Sequence, residues 1–588
     1  MTTPEARSGR SFAADPIVSA PGPLPPAWVK QLVSCEIDQS VGLPDTVVLS
    51  YRDANHTFLS DTGITIGAQL QVSVVTVQGN TQVKLFSGEV TALELDVDGT
   101  GSYTVVRAAA LTHRLMRGRR VKAYRNMTTS DIVQQVAAGA GLSLGRVDSF
   151  SVVHQQLSQA NVSDWEFLQY LAQENGALLR VDETGLLEFV KPEPASSAPA
   201  PSTPAPQSPM VLEYGRNLMA LRGVLTGAGG ANTVEVRGWN VATKNALVAT
   251  EPSVTSQTVQ PGLSPTTGAT GSAKLTVTDT PYRTQAETTS TAQSVAASVA
   301  AGFGELEAVV EGNPQLRAGT PVALGNVGPA FSGRYTATAV HHVLEPYRGY
   351  RTTVVVSAAP DRSLAGLVLG GNAPQRGARM PGLAIAVVTD VREPGDGQRG
   401  WVKLKFPWLD DTYVSDWVRT VQWGGQGGGG VFSPEVNDEV LVGFEQGSLD
   451  SPYVLGGLYN GVDKPSQHEV PLIDAGSGKV NRRSLVSRSG NRLELLDVPG
   501  GQSGVRLASG DNKLEVRLDE QRGEIKLTVS GGLGGGSSVT LSASGITLDA
   551  GTGEVKVTGG SVTVNGQTAV TVNGGVEAVL KADIVRIN

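Results

Sequence analysis

Val539-Thr540-Leu541, Ile546-Thr547-Leu548, Val555-Lys556-Val557, Val562-Thr563-Val564 and Val570-Thr571-Val572 follow one another at a spacing of seven to nine residues. Gly, Asn, Asp or Ser fills most of the gaps. Four earlier triplets share the form: Leu493-Glu494-Leu495, Val505-Arg506-Leu507, Leu514-Glu515-Val516 and Ile525-Lys526-Leu527. Positions i and i+2 of a strand share a face, so each triplet sends two aliphatic side chains one way and a polar one the other. Turn residues then carry the chain to the next rung, the pattern of a β-solenoid. Rungs this short leave a single chain with open strand edges and a core that is hard to close. Three chains around one axis remove both problems, and burying each aliphatic side chain contributes about 1.5–3 kcal/mol. The alternative is a single-chain β-helix, whose coils want longer turns. The expected trimer core is Val539, Leu541, Ile546, Leu548, Val555, Val557, Val562, Val564, Val570 and Val572.

Working back from the needle (485–588), residues 461–484 form a short connector, and 381–460 a compact unit. Four of the seven tryptophans fall between Trp401 and Trp423. Strands expected at Leu383–Val391, Gly400–Phe406, Ser415–Val421 and Glu439–Phe444 suit a small Greek-key barrel of the OB type. A Gly/Pro-rich linker covers 361–380, and a β-rich unit covers 210–360, with an Ala/Ser/Glu-rich stretch, 284–310, expected to be helical. The segment 192–209, PEPASSAPAPSTPAPQSP, has seven prolines in eighteen positions and reads as a linker or as an extended surface loop. Residues 28–191 alternate as strands around two helices. Asp131–Ala138 would be capped by Thr129 or Ser130, and Trp165–Glu174 follows Ser163-Asp164 and stops at Gly176. Residues 1–27, with Pro21, Pro23, Pro25 and Pro26, read as a loose arm. The fold class is mainly β: two β-rich units with short helices, an OB barrel and a C-terminal intertwined triple-stranded β-helix.

Composition narrows the function. The 588 residues carry 47 Lys+Arg against 55 Asp+Glu, a formal charge of −8, with no basic stripe of the kind nucleic acid requires. One cysteine, Cys35, rules out an internal disulfide or a multi-cysteine zinc site. No apolar run is long enough to span a bilayer, and the N-terminus lacks the apolar core of a secretory signal. The expectation is therefore a protein made in the cytoplasm.

Several motif-like fragments carry no chemistry. Gly141-Leu142-Ser143-Leu144-Gly145 follows a helix, where a nucleophile elbow would end a strand. Ala475–Val480 lacks the first glycine and the hydroxyl of a phosphate loop, and Gly531–Gly536 has glycine where a calcium ligand belongs. His341 and His342 are adjacent on a strand and so face opposite ways. Asp410-Asp411 reads as a solvated turn, Cys35 as a small apolar residue, and the tryptophans of 401–423 as core or interdomain packing. No catalytic, cofactor or metal residue is expected.

Together these segments resemble a known family. SDWEFLQYLAQENGALLRVDETGLLEF (163–189), LEYGRNLMAL (212–221), VEVRGWN (234–240) and NPQLRAGTPVALGNVGPAFSGRYTATAVHH (313–342) resemble phage late-control D and VgrG hub domains. Residues 382–461 resemble the OB domain of VgrG and phage baseplate V proteins, and the tail resembles their trimeric β-helix. The resemblance covers about nine-tenths of the chain in the right order. It implies a non-enzymatic homotrimeric spike of a contractile injection system, with a hub of two related barrel domains per chain, 28–191 and 210–360, that faces a hexameric inner tube with pseudo-sixfold symmetry and contacts baseplate proteins. The needle would carry a PAAR-type tip protein on Asp583, Ile584, Val585, Arg586, Ile587 and Asn588, help deliver effector cargo, and pierce a target envelope. The connector leaves no room for an inserted lysozyme domain, and no effector domain is expected after Asn588. The injection particle would be extracellular or cytoplasmic. A trimeric tailspike that binds or degrades polysaccharide is the alternative, and it would need clustered carboxylates on the outer face.

Overall fold

The structure is a computed structural model that describes residues 16–587, apart from 21, 76–80, 228–229, 266–270, 359–379, 381, 396–397 and 532–534. Most of the expected arm and of the 361–380 linker, and the middle of Gly531–Gly536, lie outside the described residues. Strands far outnumber helices, and the chain forms two compact units, Met1–Leu458 and Tyr459–Asn588.

The first unit is organised by a ten-stranded sheet. Its order runs Ile17–Ser19, Gln69–Val75, Gln82–Asp98, Gly101–Ala109, Leu43–Arg52, Leu32–Ser40, Ala339–Glu345, Gly349–Val356, Gly304–Glu311, Leu218–Leu225. Strands from both sides of the Pro-rich segment therefore share one sheet, joined where Ile37 lies opposite His342. Alternation decides which side chains go in: Ile37, Leu49, Leu70 and Val72 are buried with Phe58 and Cys35 in one core, and Leu306, Ala308, Val310 and Val354 in another.

The Pro-rich segment is packed. It makes two single 3-10 turns, Ala195–Ser197 and Ala205–Gln207, and buries Ala195, Ala198 and Ala205. Its carbonyls are used: Pro199 O accepts from Arg334 Nε at 3.1 Å and Glu193 O from Thr336 Oγ1 at 2.9 Å. Proline supplies no N–H donors, so such a strap bonds mainly through its oxygens.

The three longest helices start at capping boxes. The first spans Thr129–Gly139, and its cap is Thr128, one or two positions before the expected Thr129 or Ser130. Thr128 stays extended while its hydroxyl accepts from Asp131 N at 3.2 Å and Asp131 Oδ2 accepts from Thr128 N at 3.1 Å. The second, Asp164–Asn175, is capped by Ser163 and Glu166 and ends at Gly176, whose φ of 60° suits glycine. Ser163→Ala should therefore cost about 1 kcal/mol, seen as a lower denaturation midpoint of this unit. The third, Gln285–Ala301, is shorter than the 284–310 expected from composition: Gly304–Glu311 forms a strand in which Leu306, Ala308 and Val310 alternate inward. A period of two overrides helix propensity once the neighbouring strands offer a ladder.

Residues 383–457 build a five-stranded sheet ordered Lys403–Lys405, Leu383–Asp390, Glu439–Phe444, Pro452–Gly457, Arg419–Thr420. Its core is Ala386, Val388, Val402, Leu404, Phe406, Val440, Val442 and Val454. None of the four tryptophans of 401–423 is among these buried core residues, although Trp408 meets Phe406 and Trp423 meets Phe432. Trp408 is 47% and Trp423 72% exposed, Trp401 lies under Arg399 at 3.8 Å, and Trp417 lies near Lys403 at 5.0 Å. An indole needs a partner for its N–H, and at the edge of this core Trp408 meets Phe406 edge-on and donates to Ile385 O at 2.8 Å. The ribbon Arg120–Thr128/Val153–Val162 lays Ala160 against the barrel core, and Ser158 N donates to Asp450 at 2.9 Å.

In the second unit, seven short strands each pair antiparallel with the next: Arg482–Val486, Arg492–Asp497, Ser503–Ala508, Leu514–Asp519, Glu524–Val529, Ser537–Ser542 and Gly545–Asp549. Six of the nine triplets thus lie in a meander, and among the described residues the coil of a one-chain solenoid does not form. Residues 550–587 contain no assigned strand.

Candidate functional site

Strand register turns the triplets into two aliphatic columns. Leu485, Leu493, Leu507, Val516, Leu527, Val539 and Leu548 stand opposite one another across successive strands. Leu495, Val505, Leu518, Ile525, Leu541 and Ile546 form the second column, with Arg483 at its head. No buried apolar cluster among the described residues includes this face, and its members remain open: Leu495 47%, Leu527 43%, Ile546 72% and Leu548 58% exposed. A contiguous apolar surface of this length marks an interaction site.

The sequence-predicted core residues divide into two groups. Val539, Leu541, Ile546 and Leu548 lie in the columns. Val555, Val557, Val562, Val564, Val570 and Val572 lie in the segment without strands, each more than half exposed. The tip residues Asp583–Ile587 are in the same strandless segment, and Asn588 lies outside the described residues. A strand exists only with a partner to hydrogen-bond, and within one chain this segment meets none. Sequence reasoning missed Leu485 and Leu518, which lie outside the triplets, although their parity with Leu493 and Val516 was available as a signal.

The opposite face of the meander is polar and, at its head, covered. Glu494 is fully buried; its Oε2 lies 3.0 Å from His468 Nε2 and 3.5 Å from Arg506 Nη1. Its Oε1 lies 3.7 Å from Arg492 Nη1, and it accepts from Ser484 Oγ at 3.2 Å. Nothing in the residue-by-residue reading of the sequence flagged this cluster, since its members come from three strands and a loop.

The other titratable groups are individually placed. His342 is buried, with Nδ1 2.9 Å from Tyr350 Oη, and burial, reinforced by Arg317, pushes its imidazole down to about 3. His341 faces the other way, 2.6 Å from Asp38, whose hydrogen bond raises it. Cys35 is buried and its thiol is pushed up by desolvation. Asp410 accepts from Thr412 N and Tyr413 N in an exposed turn. Among the described residues no group of three or more His, Cys, Asp or Glu is placed to hold a metal, and no helix is long and apolar enough to cross a membrane.

Comparison with known proteins gives two family matches. Residues 52–345, half of the chain, match the Alg8 N-terminal domain, and residues 384–459 match the type VI secretion system/phage-baseplate injector OB domain. Among curated proteins, the type VI secretion system spike protein VgrG1c of Pseudomonas aeruginosa is 29% identical over 149 residues, covering 24% of this chain and 20% of that protein. VgrG5 of the same organism is 43% identical over 79 residues, covering 13% and 9%. The chain thus spans about a fifth or less of the length of these relatives. Among solved structures, an Escherichia coli type VI secretion component, c3393, described as similar to the T4 tail proteins gp27 and gp5, aligns over 73% of this chain and 97% of its own at 14% identity and a TM-score of 0.45. A Shewanella oneidensis prophage tail protein aligns over 59% and 99% at 15% identity and a TM-score of 0.43. The chain belongs to the Alg8 N-terminal domain family over half its length, carries an OB domain of the type VI secretion system/phage-baseplate injector type after it, and has VgrG spike proteins among its relatives.

Proposed function

We propose that the chain is the central spike of a contractile injection particle and works as a homotrimer whose needle is mechanical. The observation that carries this reading is the pair of open aliphatic columns on a sheet that already satisfies its own ladder. Each copy supplies one face of a three-sided prism, with the columns turned inward. Beyond Asp549 the chain has no strand partner of its own, and it interleaves with the two other copies. The hub adapts a hexameric inner tube and baseplate proteins to this needle, and the last residues carry a PAAR-type tip and its effector cargo into the target envelope. The assembled particle is extracellular or cytoplasmic. The polysaccharide-cleaving alternative gains no support from the polar face: Glu515 and Asp519 there are paired with Arg506 and Arg517, and Glu494 is buried.

Light scattering should give three times 61.1 kDa for the purified chain. A monomer ordered to its last residues would overturn the proposal. Truncation before Leu541 should leave the hub folded and abolish tip attachment, and a pull-down in which the truncated chain retains the tip protein would contradict the assigned docking segment.

A further inference from the structure

The aliphatic columns explain why the needle strands associate but not why they pair in one register. Sliding Arg492–Asp497 by two residues against Ser503–Ala508 still sets Leu495 against an aliphatic partner, Leu507 in place of Val505. The five-residue loop between these strands, 498–502, is longer than the two-residue turns that dictate register by themselves. Slippage is thus cheap on the apolar face.

The other face discriminates. In the observed register Glu494 lies opposite Arg506. A slip of two in one direction sets Glu494 against Ala508 and Arg506 against Leu496, both of which are buried positions. The opposite slip sets Arg506 against Arg492, like charges face to face. Stability does not account for the cluster. Its charges are desolvated, and Arg482 Nε and Asn481 Oδ1 are buried without a hydrogen-bond partner among the described residues. Unfavourable burial combined with sharp positional preference is how a polar residue specifies alignment.

The loop preceding the strands reads the same carboxylate. His468, its side chain 1% exposed, lies with Nε2 3.0 Å from Glu494, while its Nδ1 accepts from Val470 N at 2.9 Å. Arg482 Nη2 donates back to Ser466 O at 2.9 Å, and Arg506 Nη2 reaches Asn512 Oδ1 at 3.1 Å and Glu515 at 3.3 Å. We infer that Glu494, held between Arg506 and His468, sets the strand register at the head of the needle. This deepens the spike reading, because three copies meet along their columns only if each presents its rungs at the same height.

Engineered cysteine pairs test this in the full-length chain, since Cys35, its one cysteine, is buried. Asp497→Cys with Ser503→Cys reports the observed register, and Asp497→Cys with Val505→Cys the slipped one, read as intrachain disulfides by peptide mass after mild oxidation. In the otherwise native chain the first pair should dominate. Adding His468→Leu, Glu494→Leu and Arg506→Leu should keep the oligomeric mass and raise the slipped product at least about fivefold. An unchanged ratio overturns the inference. Should the triple variant fail to fold, Glu494→Gln preserves shape and should raise the slipped product to a smaller extent; no rise there also overturns it. Failure of the trimer reading appears separately, as a single-copy mass, while the disulfide ratio still reports register within a chain.

Discussion

Leu527→Asp should abolish the oligomer and leave a folded hub. Leu527 sits mid-column, between Val516 and Val539 and 43% exposed in the single chain. In the proposed prism, three copies would bring three carboxylates to one level of a dry axis. Each unpaired buried charge costs roughly 3–5 kcal/mol, on top of the lost aliphatic burial of about 1.5–3 kcal/mol per copy. Over three copies that total reaches or exceeds the roughly 5–15 kcal/mol that holds a typical domain together. The same sign is expected of a charge at Val557 or Val564 in the interleaved segment. Thr540→Asp, on the opposite face and cross-strand from Lys526, is the control and should leave the mass unchanged. Light scattering of the two variants side by side decides the matter. If Leu527→Asp keeps a three-copy mass, the columns do not face the axis.

The second large effect is a loss of hub stability in acid, traced to His342. Burial, with smaller contributions from Arg317 and His341, pushes its imidazole from the ordinary 6.5 to about 3. The unfolded chain therefore takes up a proton near pH 6.5 that the folded chain refuses until about pH 3. Stability is full above pH 6.5 and falls as pH drops through that window, by at most about 4–5 kcal/mol at the bottom. His341 works in the opposite sense, since Asp38 raises it and its contribution is lost as pH rises. The wild-type slope therefore understates the effect. His342→Gln retains an acceptor for Tyr350 and should lower the midpoint at pH 7 while flattening the slope between pH 7 and 5, where ordinary carboxylates stay ionised. Chemical denaturation at those two pH values would measure it, and equal slopes for the two proteins would refute the assignment.

What could be read without the structure was local. The faces of Val539-Thr540-Leu541 and Ile546-Thr547-Leu548, the serine start of the helix at Asp164 and its stop at Gly176 depend on residues within a few positions of one another. The four-tryptophan stretch misled for a different reason. Large aromatic residues suggested a core, but the core takes Phe406 and Tyr413 with Val402, Leu404 and Val440, while Trp408 and Trp423 stay outside it. The helix expected to run to 310 ended at Ala301 because Gly304–Glu311 found strands on both sides, and no count of alanines reveals those neighbours.

By itself, the sequence determined that this is a β protein with a repetitive aliphatic tail, because alternation and turn chemistry act between neighbours in the chain. Tertiary structure alone decided which distant segments meet. Leu32–Ser40 lies beside Ala339–Glu345, the proline strap lies on Arg334 and Thr336, and His468 closes over Glu494. Such pairings are chosen by the fit of two faces after a long loop has closed, and that fit is a property of the pair that neither segment carries alone.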